Sequence, residues 1–171
     1  MTTNAAAQTL IREATERFLN ECAHASASQW LFRPTPTHWS MAHIAEHVAI
    51  GDRNIFRLLT QRLLASRLDG RVTDVIDAEI PYLFYRGDEP PNVATPTGDW
   101  KKEAAHDALN ANVRSILEWV ATVDTDLRAV AVAHPVFGLL DGMQWLLFVA
   151  AHTERHRAQL IGLKRHPEFP S

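Results

Sequence analysis

Four stretches of this chain repeat apolar residues at the three-to-four-residue spacing of an α-helix, and proline-bearing connections separate them. The first runs from about Asn4 to Ala27, with Ala7, Leu10, Ile11, Ala14, Phe18, Cys22 and Ala25 on one stripe. Two prolines in the segment RPTPTHW end it, because proline lacks the N–H a helix interior needs. Ser40 is a suitable N-cap for the second helix, since its hydroxyl can accept from an early free N–H. That helix is expected to reach about Arg67, burying Ile44, Val48, Gly51, Ile55 and Leu58. The third starts near Thr97 or Asp99 and ends near Val123, on the stripe Ala105, Leu109, Val113, Ile116 and Val120. The fourth is capped by Asp141 and runs from Gly142 to about Leu163.

With no convincing sheet, this pattern predicts an all-α, four-helix bundle in a single domain spanning residues 1–171. The connection from about Asp69 to Thr97 carries Pro81, Pro90, Pro91 and Pro96, with a short strand or turn expected around Ile80 to Tyr85. Its length makes it a crossover candidate that lets helices two and three run parallel, and it is expected to be functional or to pack across the bundle. Leu147, Ala158 and Ile161 lie off the core stripe of the fourth helix, so that helix needs a second neighbour, either the long connection or a second subunit.

The totals exclude some classes of function. The formal charge is −3, which gives no basic footprint for nucleic acid. The N-terminus has no basic region leading into an apolar run, and no apolar run can span a bilayer. One cysteine, Cys22, allows no intrachain disulfide and sits on an apolar stripe as a core thiol. A soluble, cytoplasmic protein is expected, with no nucleic-acid or membrane partner.

The chain has nine histidines, and two of them stand out. His152 and His156 lie four apart in the middle of the stripe Trp145, Phe148, Val149, Leu160 and Leu163. Residues at this spacing stack on one helix face, so both imidazoles can share one ion. Burying two imidazoles in an apolar core is costly unless each ring nitrogen finds a partner. A metal supplies one, and hydrogen bonding within a purely structural core is the other solution. On the second helix, His47 lies about 60° from Ile44 and His43 about 100° away, so His47 points inward. Three histidines from two helices leave coordination positions open, as a catalytic site does.

A rival pattern is present. His43-x-x-Glu46-His47 fits the H-x-x-E-H metalloprotease motif with Glu46 as base, but it leaves His152 and His156 unexplained. Glu154 falls on the opposite helix face and reads as a surface charge. His134, before a proline, is placed near the mouth of the site; Tyr82, Tyr85 and Arg86 could line it. Trp39, Trp100, Trp119 and Trp145 read as packing residues.

The chain resembles the DinB-like (DinB/YfiT) superfamily of bacterial four-helix-bundle metalloenzymes. The resemblance rests on Trp39-Ser40 with Ile44-Ala-Glu46-His47-Val48, and on His134-Pro135-Val-Phe137-Gly138, Gln144-Trp145-Leu146 and His152-x-x-x-His156-x-x-Gln159-Leu160. It implies a metal triad of His47, His152 and His156, a long crossover between helices two and three, and a homodimer. Related branches are thiol-dependent transferases and isomerases that use glutathione, mycothiol or bacillithiol. The expectation is therefore a divalent metal (nickel, zinc, iron or manganese), a low-molecular-weight thiol cofactor and a small-molecule substrate, in an S-transferase or a metal-dependent hydrolase. The alternative is a non-catalytic metal-binding or stress-response module of the same fold.

Overall fold

The computed structural model describes residues 2–66, 73–82 and 94–171. Its elements are α1 (Asn4–Cys22), α2 (Ala27–Leu31), α3 (Met41–Gln61), α4 (Lys102–Thr122), a hairpin of β1 (Ala131–His134) and β2 (Gly138–Asp141), and α5 (Gly142–Lys164). Short 3-10 turns occupy Leu63–Ala65, Asp77–Tyr82 and Leu127–Ala129.

The four long helices form the bundle. α1 packs on α5 and α4, and α3 packs on α4 and α5. Cross-helix pairs fix the directions. The Asn112 amide donates to the Ala49 carbonyl, and Trp119 meets Phe56 one helical span further along both helices, so α3 and α4 run parallel. Arg17 bonds Glu154 and Glu21 bonds Lys164, so α1 and α5 also run parallel. Gly51 lies beside His152 and His47 beside His156, so α3 opposes α5. The order is up-down-down-up, and the α3–α4 connection must return the chain over the length of the bundle.

Local chemistry sets most boundaries. Ser40 and Asp141 cap α3 and α5 as expected, each in a reciprocal capping box, with His43 and Gln144 as the returning side chains. The first helix is shorter than the stripe suggests: it stops at Cys22, and Ser26 starts a new helix with its own capping box to Gln29. α3 tightens into a 3-10 turn after Gln61, short of the expected Arg67, which lies outside the described residues. α4 begins at Lys102 rather than at Thr97 or Asp99. The chain is held in a turn there: Gly98 has φ +79, and a Cβ at that position would overlap the His43 ring. Thr97 is occupied by a bond to Glu46.

The hairpin is a departure from the expected sheet-free fold. β1 and β2 are antiparallel, with Ala131 opposite Asp141 and His134 opposite Gly138. The strands are too short to show a period in sequence. The stretch around Ile80 is a 3-10 turn through Tyr82, not a strand; 83–85 lie outside the described residues.

The near part of the crossover packs across the foot of α5. Val75 and Ile80 join the buried cluster that holds Leu147, which supplies the second neighbour α5 needs on that side. Gln144 donates to the Val75 carbonyl, and Arg128 ties Asp77 to the cap residue Asp141. The Arg128 guanidinium holds Asp77 below the usual carboxylate range. Among the described residues, no helix is long and apolar enough to cross a membrane.

A three-histidine candidate metal centre

His47 from α3 and His152 and His156 from α5 meet inside the bundle. The Nε2 of His152 stands 3.3 Å from Nε2 of His47 and 3.1 Å from Nε2 of His156. Among the described residues these three offer ligand atoms that all lie within 4.8 Å of one another. Two nitrogens bound at about 2.05 Å to one ion stand roughly 2.9 Å apart at right angles and roughly 3.3 Å apart in a tetrahedron. The two observed spacings fit that range.

Two of the three tautomers are set by partners behind the rings. Nδ1 of His47 lies 2.7 Å from the Ala94 carbonyl, which can only accept, so Nδ1 carries the proton and Nε2 presents its lone pair. Nδ1 of His156 donates to Gln159 Oε1 at 2.7 Å, with the same result. Such backing orients ligand imidazoles. Nδ1 of His152 is buried and has no partner. A Cβ on Gly51 would lie 3.1 Å from Cε1 of His152, so the absence of a side chain at 51 makes room for this ring.

Protonation does not resolve the crowding of lone pairs. Burial pushes the His156 pKa down to about 3 and lowers those of His152 and His47, with neighbouring imidazoles adding to the effect at His152 and His156. Three neutral imidazoles with converging Nε2 atoms cannot all be satisfied by one another's hydrogens. A divalent cation satisfies all three, so the donor set fits one.

The triad forms one end of a cavity of about 410 Å³. Trp39 packs on His47 at 4.8 Å between ring centres and on His156 at 6.3 Å. Phe148 lies 5.7 Å from His152 and 4.8 Å from His134. His134 lines the cavity. Its Nδ1 accepts from the N–H groups of Val136 and Phe137, which leaves the ring proton on Nε2, and burial pushes its pKa down to about 4. Arg155, also on the wall, loses solvation, and its charge lowers the pKa of all three ligands. No aspartate or glutamate from the described residues lines this cavity.

The rival H-x-x-E-H reading fails on geometry. Glu46 is buried and accepts from the Thr97 and Gly98 N–H groups and the Thr97 hydroxyl, so its carboxylate is engaged in holding the crossover's end. His43 Nδ1 bonds Ser40 at the helix start, away from the triad. Glu154 pairs with Arg17 and Arg157 on the outer face. A second cavity of about 290 Å³ holds Cys22, but burial pushes that thiol up to about 12, so it offers no nucleophile.

Sequence reasoning treated Trp39 and Trp145 as packing and did not single out Arg155. Both tryptophans line the cavity. Arg155 had a usable signal: with Phe148, Ala151 and Gln159 it makes a stripe at helical spacing beside the two histidines. Tyr85 and Arg86 lie outside the described residues, as does the side chain of Tyr82.

Residues 10–160 match the family model of the DinB superfamily. The chain belongs to the DinB superfamily. That match covers all three histidines and both segments on which the resemblance rests. No curated protein and no solved structure matches the chain.

Proposed function

We propose that this DinB-superfamily protein is a divalent-metal-dependent enzyme that transfers a group to a small-molecule thiol. The observation that carries the reading is the convergence of three Nε2 atoms at metal-ligand spacing on a cavity large enough for a further ligand. Three protein ligands leave at least one coordination position open, the arrangement of catalytic sites. A divalent ion held there would act as a Lewis acid that favours the thiolate form of a bound thiol.

The chain's own residues favour thiol transfer over hydrolysis. A hydrolase that does not rely on the ion alone to ionise its water uses a side-chain base to take that proton. The described cavity wall has no carboxylate, and His134 is already neutral with Nδ1 engaged by two backbone donors. A thiol loses its proton before attack and needs no such base. Trp39, Trp145 and Phe148 make an apolar wall that sheds water from the nucleophile and receives an apolar substrate. Imidazole ligands suit zinc, nickel and iron.

Elemental analysis of protein purified without a histidine tag tests the metal: about one equivalent is expected, falling to background in His156→Ala and His47→Ala. Glutathione, mycothiol and bacillithiol, each assayed with an electrophile such as a chloronitrobenzene, test the transfer. Metal-loaded protein that is inactive with all three thiols would remove thiol transfer and leave a hydrolase or a binding module.

A further inference from the structure

Arg155 is a half-buried cation on the wall of a cavity with no other lysine, arginine, aspartate or glutamate among the described residues that line it. It has no hydrogen bond and no ion pair among the described residues, whereas its neighbours Glu154 and Arg157 are both paired. The carboxylate nearest in sequence, Glu154, is directed to Arg17 and Arg157 instead. It lines the same cavity as the three candidate ligands and directly precedes His156 in the chain, so it stands close to the place where a reacting group would lie. An arginine in this position costs stability twice: it loses water, and it repels any cation held by the histidines. A folded core has no use for that arrangement, and a bound anion removes both costs.

We propose that Arg155 is the recognition residue for a carboxylate on the ligand, so that the substrate class is small monoanionic carboxylates with an apolar or aromatic body. This rests on the reading of the cavity as the substrate site. The guanidinium presents a planar fork that matches a carboxylate with two parallel N–H···O bonds. Among the described residues Arg155 is the one aspartate, glutamate, lysine or arginine that lines the cavity, and a single planar fork against an apolar wall matches a carboxylate on an apolar body better than a phosphate, which draws on several cationic donors. Phe148, Trp145 and Trp39 supply the apolar surface for the body of the ligand, and on the same helix His152 lies about one turn before the arginine and His156 next to it, so a carboxylate at Arg155 fixes which atom of the ligand faces the triad. Arg155 is thus a positioning and specificity residue.

The probes are 4-phenylbutyrate and its uncharged analogue 4-phenylbutanamide, titrated by calorimetry into the purified protein, with metal content measured on the same samples. Wild type is expected to bind the carboxylate about tenfold or more tightly than the amide, the worth of one charge-assisted hydrogen bond. R155M and R155Q are expected to bring the two within about twofold with unchanged metal content, and R155K is expected to fall between. Glutathione and its diethyl ester, run on the same proteins, tell whether the carboxylate belongs to the substrate or to the thiol: Arg155-dependent preference for free glutathione assigns it to the thiol. A wild type that binds neither probe, or binds both equally, overturns the proposal. So does a folded R155M that keeps the preference, since the ion and not Arg155 would then be holding the carboxylate. Samples that contain no metal yet show Arg155-dependent preference refute the metal reading alone.

Discussion

Asp52 lies on α3 with none of its surface exposed, and neither carboxylate oxygen has a hydrogen-bond partner among the described residues. An ionised carboxylate in such a place is costly, so the group is held protonated through the neutral range. Burial pushes its pKa up to about 8. In the unfolded chain the same group titrates near 3.9. Because the folded pKa is the higher one, the stability that Asp52 contributes is complete below the unfolded value and is lost as pH rises toward the folded value. The slope is about 1.4 kcal/mol per pH unit through that window. Asp52→Asn keeps the shape and removes the titration. The unfolding free energy of wild type minus that of the variant, from urea melts, is therefore expected to fall by about 2.7 kcal/mol between pH 5 and pH 7. The buried histidines act in the opposite sense, since their depressed pKa values lose stability as pH drops below the ordinary imidazole range, but they do so in both proteins and cancel in the difference. A difference that stays flat from pH 5 to pH 8 would show that Asp52 is ionised in the folded protein and that its burial has been misjudged.

Two further substitutions separate stability from the site. Gly51→Ala gains up to about 1 kcal/mol of helix propensity, but its Cβ displaces the His152 ring by a few tenths of an ångström. Zinc titration is expected to show weaker binding while the melting temperature holds or rises; unchanged affinity would mean the ring has room to spare. Glu46→Gln removes the charge that accepts from Thr97 and Gly98, and a loss of about 1–3 kcal/mol is expected in urea melts, with faster protease cleavage near residues 94–100.

The bundle was legible because its stripes are long. Ile44, Val48 and Ile55, or Leu109, Val113 and Ile116, repeat over enough turns for the period to be read, and the caps Ser40 and Asp141 are short-range chemistry. The triad was legible for the same reason: His152 and His156 interrupt a stripe where polar groups are costly. What was hidden depends on contacts remote in sequence. The late start of α4 follows from Glu46, some fifty residues earlier, taking the N–H groups of Thr97 and Gly98. The β1–β2 hairpin has four-residue strands, below the length at which alternation means anything. Arg155 was not singled out, because its lack of a partner is visible only once Glu154 is seen to face Arg17.

His47 makes one last point through its other nitrogen. Its Nδ1 proton is held by the carbonyl of Ala94, and the adjacent Glu46 grips the backbone three and four residues further on. The far end of the crossover is thus fastened to α3 by two consecutive side chains, one of which is a candidate ligand. Coordination at Nε2 would fix the proton on Nδ1 and tighten the first of these fastenings. The reverse follows by thermodynamic reciprocity: any partner or substrate that steadies this end of the crossover steadies the ligand set too. Amide exchange at Thr97 and Gly98, remote from the cavity in chain position, then becomes a gauge of whether the centre is loaded.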